Sequence, residues 1–168
     1  LFRLVGSEMC IRDRFKIADN IEQSDEQNLK KKTKLLELKK KISSIENCNL
    51  KDNSKNLILG DGDINSPIML IGEAPGEKED NSGLSFQGDV GELLKKMLMA
   101  INIRKEKIYL TYTINFRPPE DRKPTRKEIQ RYSVFLKEHI TIINPKIIIL
   151  MGSTAMEAVS SLNNKISD

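Results

Sequence analysis

Residues 67–76, Pro67-Ile68-Met69-Leu70-Ile71-Gly72-Glu73-Ala74-Pro75-Gly76, decide the fold. An apolar run of strand length that stops at a glycine predicts a strand buried on both faces, as in a parallel sheet covered by helices. The glycines and proline that follow let the backbone turn sharply, expose its N–H donors and leave the Glu73 carboxylate at the strand's end.

Working toward the N-terminus, residues 48–66 are rich in Asn, Asp and Gly and predict a connector, in which Leu57–Leu59 could pair as an edge strand. Before it, Leu35, Leu38, Ile42 and Ile45 recur at 3-4-3 spacing behind the capping pair Ser24 and Gln27, which predicts a long amphipathic helix. Its remaining surface carries Lys30, Lys31, Lys32, Lys34, Lys39, Lys40 and Lys41, a pattern that fits a solvated face and, less commonly, a phosphate seat. The first residues, LFRLVGSEMCIRDR, lack the apolar segment and cleavage site of a secretory signal and resemble a translated sequencing-adapter scar. Residues 1–14, including Cys10, are therefore set aside, leaving residues 15–168 as one expected domain.

Toward the C-terminus, residues 77–88 read as a Gly- and acid-bearing loop. Asp89 and Glu92 then cap a helix striped by Val90, Leu93, Leu94, Met97, Leu98 and Ile101. Ile108–Tyr112 predicts a second strand, followed by a loop from Arg117 to Pro124 whose three prolines forbid helix and ladder alike. Thr125 with Glu128 opens another helix, carrying Ile129, Tyr132, Leu136 and Ile140 to about Ile143. Lys146–Met151 is a third strand, and Thr154 with Glu157 starts a last helix bearing Ala155, Ala158, Val159 and Leu162. Strands alternating with one-faced helices imply right-handed crossovers: an α/β fold, a three-layer α/β/α sandwich with a short central parallel sheet. Ligands bind such sheets at the carboxyl ends of the strands, where the loops 72–88, 113–124 and 152–154 converge.

Composition narrows the class. The 168 residues are 38% hydrophobic and 31% charged, enough to fill one core, and the longest apolar run, Ile147–Met151, is far short of a membrane span. Two distant cysteines form no disulfide framework or close-spaced metal knuckle, which fits a reducing cytoplasm. Lys+Arg 28 against Asp+Glu 24 gives a net charge of +4, compatible with a polyanionic partner but too mild to require one. A monomer is expected.

The three loops hold the chemistry. Glu73 reads either as a cap on loop amides or as a catalytic carboxylate. Glu77, Glu79 and Asp80 precede Phe86, which reads as a core residue or as a ring displayed beside acids, able with them to grip a heterocycle. Arg117 and Arg122 fit solvated loop positions or phosphate contacts at the same rim.

Four ordered blocks, GEAPGEKED after the strand from Ile68, then LSFQGDVGELL, NFRPPEDRKPT and NPKIIILMGSTA, resemble the family 4 uracil-DNA glycosylases. The resemblance covers about Leu29 to the C-terminus. It implies the uracil-DNA glycosylase fold and hydrolysis of the N-glycosidic bond of uracil in single- or double-stranded DNA, as in base excision repair. Reaching that bond requires a flipped base, a pocket with an aromatic face, and contacts that hold the strand. By resemblance, Phe86 stacks on the base, Glu73 and Glu79 are catalytic carboxylates organising water and the loop, and the Ala74 backbone lines the pocket. Arg117, Arg122 and Ser153 contact DNA.

Three departures from the family pattern bear on that expectation. Members of the family usually hold a [4Fe-4S] cluster on four cysteines; only Cys48 matches, with Ile45, Phe116 and Tyr132 at the other positions, so no cluster or other metal is expected. Tyr112 replaces the uracil-reading Asn; it would bond the base edge through water, exclude thymine by bulk, or serve the core, with Asn115 a displaced substitute. The family's later strand and His-Pro-Ser loop are not among these residues, and the sole histidine, His139, reads as a surface or packing residue on its helix. Loss of such a donor costs on the order of 3 to 4 kcal/mol, so weak or absent excision by residues 1–168 is expected. A non-catalytic DNA-binding module of the same fold, and an α/β domain binding a phosphorylated metabolite, are the competing readings.

Overall fold

The computed structural model of the chain describes the backbone of residues 7–163 and the side chains of residues 25–160. Helix α1 runs Ser7–Ser43, so it passes straight through Ser24 and Gln27, and that pair does not cap it. Ser43 ends the helix, and Ile45, the last residue of the expected stripe, lies beyond it, partly buried against the core. A short α2 (Asn49–Asp52) follows, and then β1 (Asp61–Gly62), β2 (Ile68–Gly72), α3 (Glu77–Ser82), α4 (Gly88–Ala100), β3 (Tyr109–Tyr112), α5 (Arg126–Ile143), β4 (Ile147–Leu150) and α6 (Ser153–Asn163).

The strands form one sheet in the order β1-β3-β2-β4. The pairs β2·β3 and β2·β4 are parallel, with Gly72 opposite Tyr112 and Leu70 opposite Ile149. The sheet is nevertheless mixed, because β1 pairs antiparallel with β3 through Asp61 and Gly62. The edge strand is therefore not Leu57–Leu59, whose segment is tied instead to the loop after β3 by Ile58 N–H donating to Asn115 O at 2.9 Å.

Strand alternation divides the core in two. Met69, Ile71 and Tyr109 face Leu35, Leu38 and Ile42 of α1, Ile129, Tyr132 and Leu136 of α5, and Ala155 and Ala158 of α6. Leu70, Leu110 and Tyr112 face Leu94 and Leu98 of α4, with Phe86 and Ile58. These are the three layers, helices on both sides of one sheet. Only part of the expected α4 stripe is used: Leu94 and Leu98 are buried, whereas Val90, Leu93, Met97 and Ile101 are exposed. The other outer strand, β4, likewise leaves Ile147, Ile148 and Ile149 exposed.

The lysines of α1 are not one uniform face. Lys31 Nζ turns inward and donates to Ile64 O and, at 2.9 Å, to Ile143 O, placing a cation on the carboxyl end of α5. Lys30 pairs with Glu26 and Lys41 with Glu138, while Lys32, Lys34, Lys39 and Lys40 are exposed.

His139 is a packing residue, buried inside α5 rather than on its surface. Thr111 Oγ1 donates its proton to Leu59 O at 2.6 Å, which leaves it an acceptor facing His139 Nδ1 at 3.5 Å. The ring's Nε2 then accepts from Tyr109 Oη at 2.8 Å. Burial pushes the imidazole pKa down to about 4.

That depressed value fixes a sign. Between about pH 6.5 and pH 4 the unfolded chain takes up a proton that the folded chain refuses, so stability falls as the pH drops through this window, by about 3 kcal/mol in all. Urea unfolding of the wild type and His139→Gln at a series of pH values checks this. The variant should be less stable at pH 7 and show a flatter slope from pH 6.5 to 4.5; equal slopes would contradict it.

Candidate active site

The carboxyl ends of β2, β3 and β4 carry the three loops that the sequence brings together. β2 and β3 are joined at this end by Thr113, whose N–H and Oγ1 both donate to Gly72 O, at 2.8 and 3.0 Å. Glu73, half-buried, accepts from Thr154 Oγ1 on Oε2 at 2.9 Å, so its carboxylate bridges the end of β2 to the start of α6. Ser153 is exposed at that same helix start. Ala74 is half-buried, and its side chain packs toward the α5 and α6 side of the core.

Residues 77–88 are not a loop throughout: Glu77–Ser82 wind into α3, whose N-terminal turn gathers Glu77, Glu79 and Asp80. Two of these are buried and accept from backbone amides. Glu79 accepts from Gly76 N–H on Oε2 at 3.0 Å and from Gln87 N–H on Oε1 at 2.8 Å. Asp80 Oδ1 accepts from Lys55 and Asn56 N–H, both at 2.9 Å, and pins the connector. Each such charge-assisted bond contributes on the order of 1.5 to 3 kcal/mol.

Phe86 sits at the far end of this turn with φ +51°, a left-handed backbone unusual for an aromatic residue. Its N–H donates to Tyr112 Oη at 2.8 Å and its carbonyl accepts from Lys105 Nζ at 2.7 Å. The flanking amides go to Asp61 Oδ2, from Ser85 N–H at 2.6 Å, and to Glu79. Helix α4 crosses so closely that a Cβ on Gly91 would lie 1.8 Å from Phe86 O, which makes glycine obligatory there. Ser85 Oγ is the exception, a buried side-chain oxygen that finds no hydrogen-bond partner among the described residues.

Phe86 and Tyr112 stack, with ring centroids 4.8 Å apart and planes 18° from parallel. Burial pushes the Tyr112 hydroxyl pKa well above its ordinary value, and the nearby Glu79 and Asp61 carboxylates add to this, so the phenol stays protonated. Asn115 is not available to replace Tyr112 as a base reader: it is buried, and its Nδ2 donates to Ile58 O at 2.9 Å.

The two arginines reach the rim already paired. Arg117 holds Asp121 with two bonds, Nε–Oδ1 at 2.7 Å and Nη2–Oδ2 at 3.0 Å, and Asp121 Oδ1 lies beside Gly76. Arg122 holds Glu128 at 2.9 and 2.7 Å, while Thr125 donates to the same carboxylate. Arg122 above all, and the Thr125 bonds, pull the Glu128 pKa down to about 2. A phosphate at this rim would therefore share or displace a carboxylate. Asp61 and Lys105, which brace the loop around Phe86, carry no motif by which sequence reading would find them, and Thr154, expected to cap α6 with Glu157, lies within that helix and gives its hydroxyl to Glu73.

A four-cysteine cluster does not fit the positions that resemblance assigns to it. Cys48, Phe116 and Tyr132 lie in one buried cluster with Ile45 packed against it, and Cys48 Sγ is 3.3 Å from Tyr132 Oη. One thiol and a phenol do not supply the thiolates that an iron-sulfur cluster needs. Among the described residues no group of three or more His, Cys, Asp or Glu is placed to hold a metal ion.

Comparison with known proteins agrees with this geometry. The model of the uracil DNA glycosylase superfamily matches residues 59–166. A type-4 uracil-DNA glycosylase of Thermotoga maritima is 39% identical over 109 residues, 65% of this chain and 57% of that protein. Type-4 enzymes of Archaeoglobus fulgidus and Pyrobaculum aerophilum are 34% and 33% identical, covering 73% and 76% of this chain and 62% and 65% of their own lengths. The chain thus spans about three fifths of the length of these relatives. With a parallel-stranded α/β core, and with Phe86 and Glu73 held at the end of its sheet, this chain belongs to the uracil-DNA glycosylase superfamily and is similar in sequence to type-4 enzymes.

Proposed function

We propose that this chain carries the base pocket and catalytic loops of a glycosylase that hydrolyses the N-glycosidic bond of uracil in DNA, as the first step of base excision repair. The observation that carries the reading is the Phe86 loop. A left-handed aromatic residue, braced on both backbone polar groups by Tyr112 and Lys105, lies at the sheet end from which Glu73 projects. Strain of this kind, about 1 to 3 kcal/mol, persists where a site over-determines it.

The chemistry follows from charge. As the bond to the base breaks, negative charge grows on the base and positive charge on the sugar, so fixed N–H donors and a nearby carboxylate lower the barrier. Thr154 fixes one oxygen of Glu73, leaving Oε1 to face water or the sugar. Phe86 supplies the stacking ring, the Ala74 backbone lines the pocket, and Tyr112 lies against the Phe86 ring. Glu79 acts at one remove, as the acceptor that holds the loop in shape. Arg117, Arg122 and Ser153 are proposed strand contacts, the arginines exchanging a carboxylate for a phosphate as DNA arrives. The apolar edge of β4 supports the pairing of a further strand there, outside these residues.

Two experiments test the reading. Excision from uracil-containing single- and double-stranded oligonucleotides is measured for residues 1–168 and for a longer product, extended to the length of the type-4 relatives, with Glu73→Gln and Phe86→Ala in each. We expect the longer product to excise uracil and each variant to lose on the order of 100-fold in rate, with duplex affinity within about threefold. No excision by the longer product at unchanged affinity would favour the non-catalytic DNA-binding reading. We further propose that no iron-sulfur cluster is bound: anaerobically purified protein should contain no stoichiometric iron or acid-labile sulfide, and chelators should leave its melting temperature unchanged. About four irons per chain would overturn that.

A further inference from the structure

Stacking on Phe86 requires a free face of its ring, and Tyr112 covers one. A planar base inserted between the two rings needs a contact of about 3.5 Å on each side, roughly 7 Å in all. The centroids are 4.8 Å apart. No other approach is open, since Phe86 and Tyr112 are 4% and 5% exposed. The strand backbone closes a third side: a Cβ on Gly72 would lie 2.8 Å from Tyr112 Cδ1 and 2.9 Å from Phe86 Cζ. The Phe86 N–H, a donor suited to a carbonyl of a stacked pyrimidine, is taken by Tyr112 Oη at 2.8 Å.

We infer that Tyr112 is an internal occupant of the base pocket, its phenol ring standing where a flipped pyrimidine would stack and its hydroxyl oxygen where a base carbonyl would accept. A nucleobase enters only when this side chain rotates away. The ring is held by stacking and through its hydroxyl, which accepts from Phe86 N–H and interacts with the Glu79 carboxylate, so its displacement must break these contacts. Its size selects the ligand class: a six-membered ring with a carbonyl acceptor fits the vacated volume, and a purine does not. The inference rests on the pocket assigned under the proposed function and adds that access to it is gated from within.

The test uses residues 1–168 as wild type, Tyr112→Ala and Tyr112→Asn, with 4-methylphenol (the deleted side chain), uracil and adenine as probes. Melting temperature and titration calorimetry are the readouts. Removing a buried ring leaves a cavity able to take a molecule of its shape, and a ligand of the native state raises the melting point. The expected result is no uracil binding by the wild type. Tyr112→Ala should melt lower but gain about 2 °C or more with 4-methylphenol and with uracil at saturating concentration, and nothing with adenine. Tyr112→Asn, which keeps a polar side chain and offers a second folded variant, should also bind uracil, at least about tenfold more tightly than the wild type.

Equal uracil binding by wild type and variants would overturn the inference, as would a Tyr112→Ala cavity that takes 4-methylphenol but not uracil. The two proposals fail separately. A uracil site opened by Tyr112→Ala, together with no excision by the longer product, sinks the glycosylase reading and leaves the gate standing. Excision by the longer product that is unchanged by Tyr112→Ala sinks the gate and leaves the glycosylase reading standing.

Discussion

The hydrogen bond from Phe86 N–H to Tyr112 Oη joins the loop after β2 to the end of β3, and the candidate site depends on it. It fixes the aromatic ring in a left-handed backbone, sets one ring upon the other, and spends the amide donor that faces the stack. The bond is feasible because Gly72 stands opposite Tyr112 in the parallel ladder, where any side chain would strike both rings.

Around this bond, carboxylates hold the backbone in place, two of them buried. Glu79 satisfies amides at both ends of the loop, Asp61 reaches across from the antiparallel edge to Ser85 N–H, and Asp80 clasps the connector. A buried carboxylate is tolerable only when its oxygens are met, and amide donors meet them without introducing a second charge. Glu73 differs: half-buried, it is held on one oxygen by a single hydroxyl and by no backbone amide among the described residues. Acids within a few residues of one another thus differ in how far backbone amides engage them.

The strands and long helices were legible because their apolar runs and periods are strong: Ile68–Gly72, Tyr109–Tyr112, Ile147–Leu150 and the capped helix after Thr125 lie where the pattern puts them. What escaped reading has physical causes. Helix α3, EKEDNS, has no apolar stripe because its buried residues are acids, so periodicity is silent there. The α4 stripe misled because spacing records a face without saying what covers it, and Leu93 and Met97 stay exposed. The edge strand is two residues, Asp61–Gly62, chosen by pairing and not by propensity. In the site, the placing of Glu73 and Tyr112 at the carboxyl ends of neighbouring strands followed from strand order. Thr154 on Glu73 and Lys105 on Phe86 did not, since each contact joins loops distant in sequence. At the rim, spacing announced the Thr125–Glu128 capping pair and could have announced Arg117–Asp121, four residues apart.

The central claim is that the face of Phe86 now covered by Tyr112 is the seat of a flipped pyrimidine. A crystal structure of the chain extended to the length of the type-4 relatives, bound to DNA carrying a non-hydrolysable deoxyuridine analogue, tests it most directly. The account predicts the uracil ring stacked on Phe86, its carbonyl on the Phe86 N–H, and Tyr112 rotated away. A base seated elsewhere, with the two rings still stacked as in the free protein, would contradict it.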